Sequence, residues 1–271
     1  MSFTPLLPFS GYSGWAFLQR TKAMQQATFD RAPQSQRLAA HARENLAKVT
    51  TAKELVDDRR LLQVALGAFG LGEEINNRFF IQKILESPPG DKTALAGKLT
   101  DKRFAKLAEA FGFGIEGGPP PRPADFADKI VAAWQTRSFE VAVGEQDDTM
   151  RLAMNAEREL ADMGNSTASN NALWFSIMGN APLRKVFEGA LGLPASFGKL
   201  DIDRQLSDLK WRSQQMFGSD QANQFADPIK REELVRKFIL RSEAQAMMNS
   251  YSPASGALTL LQSASRMANR G

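Results

Sequence analysis

The chain has 271 residues, 43% of them hydrophobic and 24% charged, with 34 Lys/Arg against 30 Asp/Glu. Such a composition is ordinary for a globular protein that buries a substantial core. Cysteine is absent and histidine occurs once, as His41, which excludes disulfide scaffolds, thiolate metal sites and cysteine nucleophiles and leaves most catalytic triads without parts.

Residues 1–14, punctuated by Pro5, Pro8, Gly11 and Gly14, read as extended chain. The start lacks the basic and long apolar regions of a cleaved export signal, and no run approaches the roughly 20 apolar residues of a membrane span. Helices are expected over 15–29 and 34–49, where Leu38, Ala42, Leu46 and Val49 recur every three or four positions. Residues 1–60 hold nine Lys/Arg and five Asp/Glu, leaving 25 of each in the rest of the chain, so all the net positive charge is N-terminal. The basic residues there are spaced among Gln and Ala, which reads as a solvated helical face rather than a phosphate track.

Thr51-Ala-Lys-Glu54 is a capping-box signal opening a short helix. A second helix follows with Leu61, Leu62, Ala65, Leu66 and Phe69 on one stripe, and Gly70 suits a left-handed C-cap. This segment recurs 122 positions later: residues 61–71 and 183–193 share Leu, Val, Gly-Ala and Gly-Leu, six identities in eleven, with Gly192 in the capping place. Helices are further expected over 73–85 and 101–111, with a shorter element at Leu95 and Leu99. Gly112 to Pro123 cannot sustain a helix and reads as a linker. Beyond it lie helices over 125–143, 146–163 and 200–217, and one opened by Asp227-Pro228.

These elements predict an all-α, multi-helix array built from two related halves joined by a Pro/Gly-rich linker. The divisions are an N-terminal basic helical arm (1–50), a first half (51–114), the linker (115–124), a second half (125–250) and a weakly ordered tail (251–271).

Chemistry is harder to find. Gly112-Phe-Gly-Ile-Glu-Gly117 matches the dinucleotide fingerprint as a string, but a helix precedes it and prolines follow where the fold needs a strand and a helix. His41 has no acid near it in sequence to orient it. Asp57-Asp58-Arg59-Arg60 reads as a cap with local ion pairs, Asp201 and Asp203 as acids at a helix start, and Glu145, Asp147 and Asp148 as the densest acidic patch. No catalytic, cofactor-binding or metal-ligating set is assigned, and no cofactor is expected. Trp15, Arg20, Lys22, Arg31, Arg37 and Arg43 are the candidate partner contacts, and Gly70 and Gly192 the structural caps.

The repeat also carries a resemblance. Ala52 to Leu71, Leu95 to Phe104, Met150-Arg-Leu-Ala153, Leu183 to Pro194, Asp201-Ile-Asp-Arg-Gln205 and Asp227-Pro228 together resemble the ordered blocks of domain of unknown function 1217, across about residues 12–245. That family is mostly alphaproteobacterial and often flagellum-associated, with no activity to carry over. The resemblance implies a non-enzymatic scaffold or interaction protein of the bacterial flagellar system, binding a protein partner without membrane insertion. Its place would be the cytoplasm, or beyond it by a flagellar-type route without a cleaved signal. The N-terminal basic helices and the exposed end of the repeat are the expected contact surfaces. The alternatives are a metal-dependent hydrolase using carboxylates alone, with acids from both halves meeting in one cleft, and weak nucleic-acid binding through residues 15–60.

Overall fold

The computed structural model describes residues 3–250. Among them the regular structure is 13 α-helices with short 3-10 turns and no strand, so the protein is all-α. In chain order the helices are α1 (Gly11–Asp30), α2 (Pro33–Asn45), α3 (Ala52–Asp57), α4 (Arg59–Ala68), α5 (Arg78–Leu85), α6 (Leu95–Lys98), α7 (Lys102–Phe111), α8 (Phe126–Gly144), α9 (Asp148–Asp162), α10 (Asn170–Gly179), α11 (Ala181–Leu191), α12 (Ile202–Phe217) and α13 (Pro228–Ser250). The tail expected over 251–271 lies outside the described residues.

The repeated segment forms α4 and α11, and their ends correspond at the same offset. Asp58 caps α4 by accepting from the Arg60 and Leu61 N–H groups (2.9 and 3.2 Å). Asn180, 122 positions on, caps α11 by accepting from the Leu183 N–H (3.2 Å). At the other end Gly70 (φ +72°) and Gly192 (φ +64°) turn left-handed, a conformation that costs glycine no Cβ clash. The Leu71 N–H then reaches back to the Leu66 carbonyl (2.8 Å), as the Leu193 N–H does to that of Glu188 (2.9 Å). Both are the six-to-one bond of a Schellman ending.

Two hydrophobic cores result. The first takes its buried residues from α2 through α7 and the front of α8, among them Leu62, Leu66, Ile84, Leu107 and Trp134. The second takes them from α1, the back of α8 and α9 to α13, among them Trp15, Phe139, Trp174, Phe187 and Phe225. Helix α8 therefore runs through both, with Ile130, Val131 and Trp134 in one and Phe139 and Val143 in the other. In the first core α4 packs on α2 and α8; in the second α11 packs on α9 and α13. The shared interior glycines set these approaches: a Cβ at Gly67 would lie 2.5 Å from Trp134 Cδ1 of α8, and one at Gly189 2.7 Å from Phe238 Cδ2 of α13.

Two expectations change and one gains detail. The first 50 residues are not a separate arm, because Trp15 and Leu18 of α1 are buried in the second core while Leu38, Ala39 and Ala42 of α2 are buried in the first. The preceding extended stretch is pinned too: buried Gln25 accepts from the Leu6 N–H (2.7 Å) and donates to its carbonyl (3.2 Å). The helix expected over 73–85 is broken, with a 3-10 turn over Gly72–Asn76 and α5 starting only at Arg78. Asn77 sits outside the helical region (φ −90°, ψ 46°), and its backbone N–H bonds the Glu74 carbonyl three positions back (2.8 Å), the tighter 3-10 pattern, rather than one four back. Finally, the Pro/Gly-rich stretch forms no helix but is fastened down. Arg122 stacks 4.7–5.4 Å from the ring centres of Phe111, Phe113 and Phe126 and donates to the Leu46 carbonyl. Proline and glycine deny it a ladder without denying it a packing surface.

Candidate interaction cleft between the two cores

The two cores leave a cleft of about 790 Å³ between them. Helix α4 lines it with Arg59, Gln63 and Gly67, one helical face at four-residue spacing, and with the Gly70–Leu71 ending. Helix α11 contributes only its first turn, Ala181, Pro182 and Lys185. Because 59 and 181, and 63 and 185, differ by 122, corresponding positions of the two copies face the same space. Trp134, Arg137, Ser138 and Val141 of α8 and Arg151, Leu152, Asn155 and Arg158 of α9 supply the remaining walls, with the Gly72–Ile75 turn and Arg103.

Charge in the cleft is asymmetric: six cations (Arg59, Arg103, Arg137, Arg151, Arg158, Lys185) face three carboxylates (Glu73, Glu74, Glu140). The innermost are locked together. Arg158 donates a fork to buried Glu140 (2.8 and 3.0 Å) and a third bond to Glu159 (2.5 Å), which also accepts from Arg137 (3.0 Å). Burial pushes the Glu159 carboxyl up, but Arg158, Lys106 and Arg137 outweigh it and hold it below the usual carboxylate range. Burial also opposes the charge on Arg158, yet Glu140 and Glu159 leave its guanidinium still more firmly protonated than usual. Towards the rim, Arg151 pairs with Asp148 (2.5 Å), and Arg103 pairs with Asp101 (2.7 Å) while donating to the Gly70 carbonyl (2.5 Å). Arg59 and Lys185 are exposed and make no ion pair among the described residues.

The sequence-chosen residues are placed differently from one another. Trp15, the one tryptophan among the candidate contacts, is only 1% exposed and is core. Glycine beside it suggests looseness in sequence, but α1 already starts at Gly11 and turns the indole inward. Lys22 pairs with Glu157 (3.5 Å) and Arg43 with Asp128 (2.7 Å), while Arg20, Arg31 and Arg37 are exposed. None of the six lines the cleft. Gly70 does, as part of the exposed repeat end, and Gly192 lies at the far end of α11 from it.

His41 has an acid partner after all, one that is 17 residues away. Its Nε2 lies 2.6 Å from Asp58, and its Nδ1 3.2 Å from the Asn45 amide. Both ring nitrogens are thus engaged, and the residue ties α2 to the N-cap of α4. Burial raises the Asp58 carboxyl, but bonds from His41 and from the Leu61 and Arg60 N–H groups bring it below the usual range. The other acids singled out from sequence serve the helices: Asp57 pairs with Lys53 and Arg78, Asp147 caps α9 and Asp201 caps α12. Among the described residues no group of three or more His, Asp or Glu is placed to hold a metal. Each glycine of the string has a backbone reason: Gly112 (φ +64°) is the C-cap of α7, a Cβ at Gly114 would lie 2.4 Å from the Ser87 backbone, and Gly117 is at φ +87°. No helix among the described residues is long and apolar enough to cross a membrane.

Fold and cleft together define an all-helical protein of two cores threaded by one long helix, with a cleft that both repeat copies help to line. The chain belongs to the DUF1217 family of proteins of unknown function, whose model matches residues 68–230. Of the motif at 52–71, only its last four residues fall within that match. A crystal structure of an Agrobacterium tumefaciens protein is similar in fold, with 22% identity and a TM-score of 0.68 over 89% of this chain and 99% of that one. No curated protein matches the chain.

Proposed function

We propose that this protein is a non-enzymatic helical scaffold that serves the bacterial flagellar system by holding a protein partner, and that the inter-core cleft is where the partner sits. The observation carrying the reading is that the open end of the first repeat copy and the first turn of the second line one cleft. A concave site on rigid helices, with apolar side chains and a few convergent charges, is a usual form of binding site. The flagellar context comes from the family resemblance, and the two-fold use of one helical unit suits a frame better than a catalytic centre. Arg20, Arg31 and Arg37 on the outer surface are secondary contacts in this reading.

The test is a gene deletion complemented with either the wild-type chain or Arg59→Glu/Lys185→Glu. Loss of swimming restored only by the wild-type chain is expected. Normal swimming and normal filaments in the deletion strain would end the flagellar assignment. Equal rescue by both chains would end the role of the cleft.

A further inference from the structure

We propose that the cleft takes an acidic, partly apolar peptide segment of a partner protein, read by Arg59 and Lys185 at its rim. The inference rests on the cleft being a protein-binding surface and names the chemistry of what enters it. Three features of the cleft agree on that chemistry. Its lining has six cations to three carboxylates; four of the cations are paired with acids, and the two without an ion-pair partner among the described residues, Arg59 and Lys185, come from the starts of the two repeat helices. An anionic occupant between them would be drawn in by both, and by the partial positive charge at the start of α11. Between the charges the lining has apolar side chains: Leu152 and Trp134 are nearly buried, and Val141 is 55% exposed. A lone anion would leave that surface wet.

The third feature is Asn155. It lines the cleft, no hydrogen bond to its side chain is found among the described residues, and its Oδ1 is buried without a partner. An unpaired buried acceptor is costly and rare enough to call for a reason. A peptide backbone entering the cleft offers this amide both a donor and an acceptor that the protein itself does not supply. A free phosphate at neutral pH offers mostly acceptors, so it satisfies the cations alone. A peptide with acidic and apolar side chains satisfies all three features, which is why it is preferred over a small anion.

The experiment uses the full-length protein and an array of short synthetic peptides, graded from no Asp/Glu to many, each made with and without leucines. Retention should rise with acid content, require the leucines, and fall as salt is raised. Arg59→Glu/Lys185→Glu should weaken it by roughly tenfold or more with an unchanged melting curve, because both side chains are exposed rim charges. Asn155→Leu should also weaken it while leaving the fold as stable or more so; an Asn of merely structural importance would instead lower stability and leave retention alone. Retention independent of peptide charge, undiminished in the rim variant, or abolished by equimolar inorganic phosphate would overturn the proposal. Peptide binding with normal motility in the deletion strain would sustain this inference and remove only the flagellar assignment.

Discussion

The interior glycine of the repeat offers a sharp test of how the two helical units are built. Gly67→Ala and Gly189→Ala each replace a poor helix former with the best one, which by itself favours the helix by about 1 kcal/mol. The structure opposes that gain. The new methyl carbon at residue 67 would stand 2.5 Å from Trp134 Cδ1 and 3.2 Å from its Nε1; at residue 189 it would stand 2.7 and 3.0 Å from Phe238 Cδ2 and Cε2. Neither ring is a free end, since Trp134 is 6% and Phe238 5% exposed. Making room means moving a ring or prising α8 from α4 and α13 from α11. Overpacking of this kind costs about 1–3 kcal/mol, and at such short distances the upper part of that range applies. The net expectation is a loss of about 1–2 kcal/mol for each variant, a fall of about 2–8 °C in melting temperature for a chain of this size. Urea unfolding followed by circular dichroism measures it. A double-mutant cycle with Trp134→Leu isolates the cause: with the indole gone the alanine should turn neutral or stabilising, a coupling of about 2 kcal/mol. A Gly67→Ala protein more stable than wild type, or no coupling to Trp134, would refute the close-approach reasoning.

Three further outcomes are expected. Gly70→Ala and Gly192→Ala each place a Cβ at positive φ and should cost about 1 kcal/mol in urea midpoint analysis. The two should be alike, because the nearest atoms to a Cβ at the second site belong to the flexible guanidinium end of Arg241, which can move aside. Arg158→Met strands buried Glu140 and should destabilise by about 3 kcal/mol, while replacing Glu140 with Met as well should recover most of the loss by calorimetry. In pH titration of the melting temperature, Glu159, Asp101 and Asp58 all have folded-state pKa values below their usual ones. Their stabilisation is therefore complete above the unfolded value near 4 and is lost as pH falls through the lower folded value, so stability should be level from about pH 7 to 5 and drop below about 4. Glu159→Gln should blunt that drop; an unchanged acid limb in this variant would contradict the assignment.

Much of the local architecture was legible because it depends on neighbours in sequence. The hydroxyl–carboxylate spacing at Thr51 and Glu54, the acid before the basic turn at Asp58, and the Gly-Leu endings at 70–71 and 192–193 all act within one helical turn. What misled was equally local evidence about remote matters. Trp15, beside the glycines of the extended start, reads from sequence as a partner contact but fills the second core, and the prolines before Phe126 gave no sign that Arg122 fastens the linker to three phenylalanines. His41 gave no sign of Asp58, since nothing in the spacing shows that α2 crosses the start of α4. The cleft was announced only in part: its α4 wall lies in the repeat and Arg151 and Leu152 in a block that carried the resemblance, but Arg137, Asn155 and Arg158 carried no signal that set them apart from other helix-surface residues.

The sequence by itself determined that the protein is helical, where most of its helices begin and end, and that one helical unit with its cap is used twice. These follow from backbone geometry and from hydrogen bonds between residues a few positions apart. Only the tertiary structure decided that α1 and α2 belong to different cores, that α8 joins them, and why residues 67 and 189 are glycine. Those outcomes depend on which apolar faces find each other across more than a hundred residues, and on the ring edge that a neighbouring helix brings to a missing Cβ.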